Sequence, residues 1–130
     1  MKHRVLIVED NAANRELLSD WLEAEGYDVL TAADLKTAFS AVENQHPHAV
    51  LLDVQLGADD GLQLAHWMRR QARFQHLPVI AVTAHAMVAE ESRILQAGCN
   101  GYVPKPIDFR QLRESLERCV AASGMASSPD

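Results

Sequence analysis

The sequence has few cysteines and no long run of apolar residues, and each absence excludes a class of protein. Its two cysteines, Cys99 and Cys119, are far apart and form no Cys-x-x-Cys pair, so neither a disulfide framework nor a zinc site is predicted. We expect both to be free thiols. No apolar stretch approaches the roughly 20 residues that cross a membrane. The opening residues also lack the apolar core of a signal peptide, so we predict a cytoplasmic protein without membrane insertion.

Positive charge is also scarce in this chain. It has 12 Lys and Arg residues against 18 Asp and Glu, a formal net charge of -6. This balance opposes attraction to a phosphate backbone, so nucleic acid is not an expected partner. An apolar share of 48% in 130 residues is typical of one globular domain. We place that domain at 1–122 and predict a flexible C-terminal tail at 123–130, where the composition is small and polar.

Short aliphatic runs alternate with segments of helical spacing along the chain. The runs are "VLIV" at Val5, "YDVLTA" at Tyr27, "AVLL" at Ala49, "PVIAV" at Pro78 and "GYV" at Gly101. The strongest runs are continuous, which is typical of parallel strands covered on both faces. The sequence therefore predicts an α/β protein in which one parallel sheet of five strands has helices on both faces.

The helical segments show candidate caps and apolar stripes. Asn11, Asp34 and Asp108 each precede such a segment and are candidate N-caps. Gly26 and Gly98 are candidate helix stops. The predicted stripes include Leu17, Leu18, Trp21 and Leu22 in the first helix and Met87, Glu91, Ile94 and Leu95 in the fourth.

Polar residues stand where the predicted strands end. Glu9 and Asp10 follow the first strand, Asp53 the third, Thr83 the fourth and Lys105 the fifth. Because the carboxyl ends of parallel strands share one edge of the sheet, we expect these side chains to converge. Carboxylates about 4 Å apart repel by about 4 kcal/mol at an effective dielectric near 20, and Mg²⁺ would neutralise them. With the lysine charge and the threonine hydroxyl, the set predicts a cradle for a phosphoryl group on an aspartate.

The motifs that carry these residues are similar to those of the receiver domains of two-component response regulators. The matching pieces, from Val5 to about Val120, are "VLIVEDN", "LLDVQL", "DDG", "VIAVTAHAM" and "AGCNGYVPKPI". The resemblance implies a doubly wound, flavodoxin-like or CheY-like sheet with strand order 2-1-3-4-5. The details "EDNAANR" and "TAHAM" are similar to receivers of hybrid kinases and to stand-alone regulators of phosphorelays. Both a stand-alone protein and one part of a longer chain fit the sequence.

The resemblance also implies a role for each site residue. Asp53 would accept a phosphoryl group from a phosphohistidine of a histidine kinase or a histidine phosphotransfer domain. Mg²⁺, or alternatively Mn²⁺, would be bound by Asp10, Asp53 and the backbone carbonyl of Gln55, with Glu9 acting through a metal-bound water. Lys105 would hold the phosphoryl oxygens and, before phosphorylation, the Asp53 carboxylate.

A switch is implied by the same resemblance. Thr83 would be drawn toward the phosphoryl group, and Tyr102 would turn inward behind it. A downstream protein would then read the change at the face made by the fourth helix, the fifth strand and the fifth helix. A cis peptide would precede Pro106. The loop after the third strand departs from the family pattern, because Gly57 replaces a proline and Asp59 a methionine, which predicts a looser and more acidic loop.

Two other functions fit parts of the sequence. A phosphatase of the haloacid dehalogenase type also uses a nucleophilic aspartate and Mg²⁺, but it needs a second aspartate where this chain has Gln55. A docking module that works without phosphorylation would not need the intact set of Asp10, Asp53, Thr83 and Lys105. We therefore predict a phosphorylation-dependent signalling switch, and not an enzyme that turns over a separate substrate.

Overall fold

A parallel sheet of five strands forms the centre of the protein. The computed structural model describes residues 2–85 and 87–127. The strands in this part of the chain are β1 (Arg4–Val8), β2 (Asp28–Ala32), β3 (Ala49–Asp53), β4 (Gln55–Leu56), β5 (Asp59–Asp60), β6 (Val79–Thr83) and β7 (Gly101–Pro104). The main sheet has the order β2-β1-β3-β6-β7, and β4 and β5 form a separate hairpin. All neighbours in the main sheet are parallel, so the predicted order 2-1-3-4-5 and the α/β fold are confirmed.

Four helices lie between the strands of the main sheet in the chain, and a fifth follows the last strand. They are α1 (Ala12–Ala24), α2 (Leu35–Gln45), α3 (Leu62–Arg69), α4 (Val88–Gln96) and α5 (Phe109–Ser127), with a 3-10 turn at Ala72–Phe74. The side chain of Asn11 accepts a hydrogen bond from the N–H of Asn14, and Asp34 accepts one from Thr37. Asp108 accepts from the N–H groups of residues 110 and 111. All three predicted N-caps are confirmed.

The last helix extends into the segment that the sequence predicts to be a flexible tail. Residues 123–127 belong to α5, and residues 128–130 lie outside the described part of the chain. The domain boundary at 122 therefore stays a prediction. Although α5 has 19 residues, none of the described helices is both long and apolar enough to span a membrane.

Two apolar clusters cover the two faces of the sheet. Alternate residues of a strand point to opposite faces, so Leu6 and Val8 join one cluster while Val5 and Ile7 join the other. The first cluster is completed by α2, α3 and α4, and the second by α1 and α5. Burial on both faces explains why the central strands are continuous aliphatic runs in the sequence.

Parts of the predicted helical stripes are wrong. Leu17 of α1 is 57% exposed and Leu95 of α4 is 58% exposed. Each lies next to a fully or nearly buried residue, Leu18 or Ile94, and one residue turns a helix by about 100°. The apolar stripe is narrower than the sequence predicts, so these leucines face away from the core.

Candidate functional site

Four strands of the main sheet end at one edge and carry the predicted site residues. Asp53 is the last residue of β3 and Thr83 the last of β6. Glu9 and Asp10 follow β1, and Lys105 follows β7. All five line one open cavity of about 750 Å³. The structure thus brings together residues that the sequence separates by up to about a hundred positions, and the cavity has room for a phosphoryl group.

Three carboxylates meet inside this cavity. Ligand oxygens of Glu9, Asp10 and Asp53 lie within 4.8 Å of one another. Glu9 and Asp53 are only 4% and 5% exposed, whereas Asp10 is open to solvent. Burial is the main reason that the pKa of Glu9 is raised to about 7; the charge of Asp53 acts in the same direction, and the hydrogen bond from the N–H of Asn11 opposes both. Ionisation of all three carboxylates at once is therefore unfavourable unless a cation binds to the cluster.

Lys105 supplies one positive charge to the cluster. Its Nζ lies 3.0 Å from Oδ2 of Asp53 and 3.8 Å from Oε1 of Glu9. Burial works against the charge of Lys105, but the hydrogen bond and the charge of Asp53 outweigh it, so the pKa of Lys105 is raised. Its backbone N–H donates to the carbonyl oxygen of Thr83 at 2.7 Å, and the peptide bond to Pro106 is cis, as predicted. The two hydrogen bonds connect Lys105 to the ends of β6 and β3.

The donor set fits a hard divalent cation. Three carboxylates face a single lysine, so the cluster keeps a negative charge when all three are ionised. Mg²⁺ prefers carboxylate and carbonyl oxygens together with water, and Mn²⁺ accepts the same ligands. Gln55, whose carbonyl the sequence predicts as a ligand, lines the same cavity and donates its N–H to Oδ1 of Asp53 at 3.1 Å. The exposure of Asp10 leaves the outer side of the cluster accessible to water.

The loop after β3 folds into a hairpin that is not among the predicted elements. Gln55 pairs with Asp60, and Leu56 pairs with Asp59, in antiparallel register. Gly57 is the first of the two connecting residues and has a φ of 59°. Glycine adopts this left-handed conformation readily, whereas proline cannot. Gly57 therefore permits a tight turn here instead of loosening the loop. A glycine at the first of two connecting residues is a sequence signal for such a hairpin turn.

A chain of polar contacts at the mouth of the cavity was also missed. The hydroxyl of Thr83 accepts from the N–H of His85 at 3.0 Å and lies 3.4 Å from Oε2 of Glu90. Arg93 contacts Glu90 at 2.6 Å and Asp60 at 2.5 Å. The spacing of three residues between Glu90 and Arg93 on one helix was a signal for the first pair. No sequence pattern indicates the second, because 33 residues separate its partners.

Arg15 is a further residue that the sequence did not single out. Its Nη1 donates to the backbone carbonyl of Glu9 at 2.9 Å and contacts that of Asp10 at 3.4 Å. A side chain of α1 thus binds the backbone of the loop that carries the two acids. The orientation of the two acids depends on this contact as well as on the strand that precedes them.

Tyr102, the second predicted switch residue, lies outside the group of residues that line the cavity. It is half-buried in β7 and packs against the first apolar cluster, on the side of α2, α3 and α4. The Glu91 carboxylate beside its hydroxyl is the main cause that raises the pKa of Tyr102. The structure therefore shows Tyr102 next to α4 and not at the carboxylates.

The family model described as "Response regulator receiver domain" matches residues 5–117 of the chain. The protein belongs to the response regulator receiver domain family. Members of this family are in general signalling switches, with a histidine kinase or a histidine phosphotransfer domain upstream and a magnesium ion at an acidic pocket. In this receiver domain the acidic pocket is the cluster of Glu9, Asp10 and Asp53.

Known proteins support the same family. The chain is 38% identical over 117 residues to the polar-differentiation response regulator DivK of Brucella ovis. This alignment covers 90% of this chain and 95% of that protein. The receiver domain protein (CheY-like) from Methanospirillum hungatei JF-1 superposes with a TM-score of 0.89 at 27% identity, covering 98% of this chain and 100% of the other. The receiver domain of a signal transduction histidine kinase from Syntrophus aciditrophicus superposes with a TM-score of 0.85 at 26% identity, covering 92% of this chain and 91% of the other.

Proposed function

We propose that Asp53 is the phosphoacceptor of this receiver domain and takes its phosphoryl group from a phosphohistidine. The observation that carries the proposal is the contact between the buried Asp53 carboxylate and Lys105 at 3.0 Å, beside two further acids. A carboxylate buried at the end of a strand requires compensation, and here that compensation comes from groups that also suit a phosphoryl dianion. One oxygen of Asp53 forms a bond to phosphorus as the bond from phosphorus to the histidine nitrogen breaks.

The residues around Asp53 have distinct roles in this proposal. Asp10, Asp53 and the backbone carbonyl of Gln55 would hold Mg²⁺, with Glu9 acting through a metal-bound water. When bound, the ion supplies charge neutralisation at the transferred group. Lys105 exchanges its contact with Asp53 for the phosphoryl oxygens. Mn²⁺ is expected to replace Mg²⁺, because the ligands are the same.

The output of the switch lies on the side of the sheet that ends in β7. Thr83 moves toward the phosphoryl group, Tyr102 follows, and a protein target reads the change at the face formed by α4, β7 and α5. Apolar side chains support this assignment, since Val88 is 82% exposed and Leu95 is 58% exposed on α4. Exposed apolar residues of this size are common at protein interfaces. The protein is proposed to work in the cytoplasm as a step of a phosphorelay.

Labelling with a small phosphodonor tests the proposal. Incubation with Mg²⁺ and phosphoramidate should add one phosphoryl mass, measured by intact-protein mass spectrometry. Asp53→Asn should abolish the addition, and Asp59→Asn is the matched control because Asp59 lines the same cavity but is not among the three clustered carboxylates. Equal labelling of wild type and Asp53→Asn would contradict the assignment. Repeated turnover of a phosphomonoester would instead support the phosphatase.

The docking alternative predicts a different pair of results. A module that works without phosphorylation would bind no Mg²⁺, and its partner affinity would not change in Asp53→Asn. Isothermal titration with Mg²⁺ alone decides the first point. Our proposal predicts saturable binding that is lost in Asp10→Asn, because Asp10 is one of the proposed Mg²⁺ ligands.

A further inference from the structure

A bridge of three charged side chains crosses the mouth of the cavity. Asp60 accepts through Oδ1 from the N–H of Leu62, the first residue of α3, and its Oδ2 pairs with Arg93 at 2.5 Å. Arg93 pairs with Glu90 at 2.6 Å through its other nitrogen. The bridge joins the β4–β5 hairpin on one side of the cavity to α4 on the other. All three charged residues line the cavity.

The bridge ends at the hydroxyl of Thr83. This hydroxyl has a single hydrogen to donate, and its acceptors within the described residues are the carbonyl of His85 at 3.3 Å and Oε2 of Glu90 at 3.4 Å. It also accepts from the N–H of His85 at 3.0 Å. Every one of these partners belongs to α4 or to the segment that leads into it. The hydroxyl is therefore engaged on the α4 side of the cavity.

We propose that Glu90 is a positioning residue that holds the Thr83 hydroxyl on the α4 side, and that Arg93 and Asp60 hold Glu90 in place. The inference rests on the proposed function, because it concerns the movement of Thr83 toward a phosphoryl group on Asp53. That movement requires the hydroxyl to leave Glu90. The bridge therefore stabilises the unphosphorylated conformation and sets the fraction of molecules that are competent for phosphorylation.

The exposure of the bridge suits a restraint that can be released. The side chain of Glu90 is 13% exposed, whereas Arg93 and Asp60 are 49% and 43% exposed. Exposed ion pairs contribute little individually, so the bridge biases the equilibrium without locking it. A phosphoryl dianion on Asp53 would repel Glu90 and attract both Arg93 and the Thr83 hydrogen, and all three effects favour release.

The same turn of α4 reaches the other predicted switch residue. Glu91 follows Glu90 in the sequence and lies beside the hydroxyl of Tyr102. Of these two adjacent acids in the first turn of α4, Glu90 contacts Thr83, and Glu91 acts on the pKa of Tyr102. A shift of this turn would therefore act on both residues.

A double-mutant cycle between Glu90 and Thr83 tests the inference. The readout is the dissociation constant of beryllofluoride, a phosphoryl mimic, measured by isothermal titration in saturating Mg²⁺. Glu90→Ala should tighten binding by about 3- to 10-fold in the wild-type background, as expected when one weak hydrogen bond, here 3.4 Å long, is lost. In the Thr83→Ala background the same change should tighten binding less than about 2-fold, because no hydroxyl remains to be released.

The cycle separates positioning from simple electrostatics. Removing the negative charge of Glu90 favours any anion, and that effect persists without the hydroxyl. An equal tightening in both backgrounds would therefore overturn the inference. Glu90→Gln, which keeps an acceptor for Thr83, should tighten binding less than Glu90→Ala, and an identical effect of the two substitutions would also count against it. Thermal denaturation of each variant checks that the fold is intact.

Arg93 gives a second measurement in which the two explanations have opposite signs. Loss of a cation at the cavity mouth weakens anion binding, whereas release of Glu90 tightens it. We expect Arg93→Gln to tighten beryllofluoride binding by about 2-fold, which is the size of a weak exposed pair. Weaker binding would contradict the role of Arg93. Arg73→Gln is the control, because Arg73 forms a similar exposed pair with Glu43 away from the cavity.

The proposed function and this inference fail in different ways. If the wild-type protein binds neither Mg²⁺ nor beryllofluoride, then the phosphoacceptor assignment is wrong. If the wild-type protein binds both and Glu90 shows no coupling to Thr83, then the positioning role alone is wrong.

Discussion

Lys105 donates a hydrogen bond of 3.0 Å to Asp53 although 52 residues separate them in the chain. The contact exists because β3 and β7 both end at the same edge of the sheet, on either side of β6. It places a cation against a buried carboxylate that also faces Glu9. The lysine therefore has two consequences that can be separated experimentally, one for stability and one for phosphoryl transfer.

Replacing Lys105 with methionine should lower the stability of the metal-free protein. Asp53 would be left buried beside Glu9 without its charged partner, and such a loss costs about 1–2 kcal/mol for a partly exposed lysine. Urea denaturation in a chelator measures it. Labelling by phosphoramidate should also slow by about 100-fold, because one donor to the phosphoryl oxygens is lost. Lys36→Met, an exposed change in α2, is the control. Unchanged labelling in Lys105→Met would contradict the role of the lysine.

Adding Mg²⁺ should stabilise the protein through the acidic cluster. Binding to the folded state alone raises the free energy of unfolding by about 2.7 kcal/mol at a concentration 100 times the dissociation constant. A chelator should remove this increment, and thermal denaturation at several Mg²⁺ concentrations measures it. Asp10→Asn should lose most of the increment, whereas Asp20→Asn, an exposed change in α1, should keep it. An increment that survives in Asp10→Asn would place the metal elsewhere.

Gly61 should not tolerate a side chain. A Cβ at this position would lie 2.0 Å from the backbone oxygen of Asp53, and the N–H of Gly61 donates to the carbonyl of Val54. The backbone must shift, at a cost of about 1–3 kcal/mol, and the shift would displace the phosphoacceptor. Gly61→Ala should therefore reduce both the unfolding free energy and the labelling of Asp53. Gly101→Ala is the matched control, since a Cβ there meets nothing within 4 Å.

Acid should weaken the end of the sheet opposite the cavity through His48. Its Nδ1 accepts from the backbone N–H of Arg4 at 2.8 Å. Burial is the main cause that lowers the pKa of His48, and the positive charges of His3 and Arg4 act in the same direction. As the pH falls below about 6.5, His48 is protonated in the unfolded chain before it is protonated in the folded protein. The free energy of unfolding therefore decreases as the pH falls from about 6.5 toward the lower pKa of the folded state.

Substitution of His48 isolates this effect. Asn can accept the same hydrogen bond without titrating. Between pH 7.5 and pH 5.5 the free energy of unfolding should therefore fall by about 1 kcal/mol less in His48→Asn than in the wild type. Urea denaturation at the two pH values gives the difference. The exposed His76→Asn should follow the wild type. If His48→Asn also follows the wild type, then the contact with Arg4 has no part in the acid sensitivity.

Local sequence patterns predicted the elements that depend on short-range chemistry. Asn11 and Asp34 cap their helices because a side-chain oxygen needs only to reach an N–H three residues ahead. The central strands were recognisable because burial on both faces requires continuous aliphatic runs. The prediction for Leu17 is wrong, since apolar character alone does not show which side of a helix meets the sheet.

The sequence predicts those residues of the site that follow the ends of recognisable strands. Glu9, Asp53 and Thr83 follow recognisable runs, and the parallel arrangement brings them to one edge. The bridge through Arg93 could not be predicted in the same way. Its partner Asp60 lies in a two-residue strand whose position depends on the turn at Gly57, and no periodicity extends across that distance.

The sequence by itself determined the alternation of buried strands and capped helices, and the order in which acidic, hydroxyl and basic residues follow the strands. These features are local, because each depends on the properties of neighbouring residues. Only the tertiary structure decided which charges meet: Lys105 against Asp53, and Arg93 between Asp60 and Glu90. Such contacts depend on how distant segments pack, since an ion pair forms only where folding brings two side chains within a few ångströms.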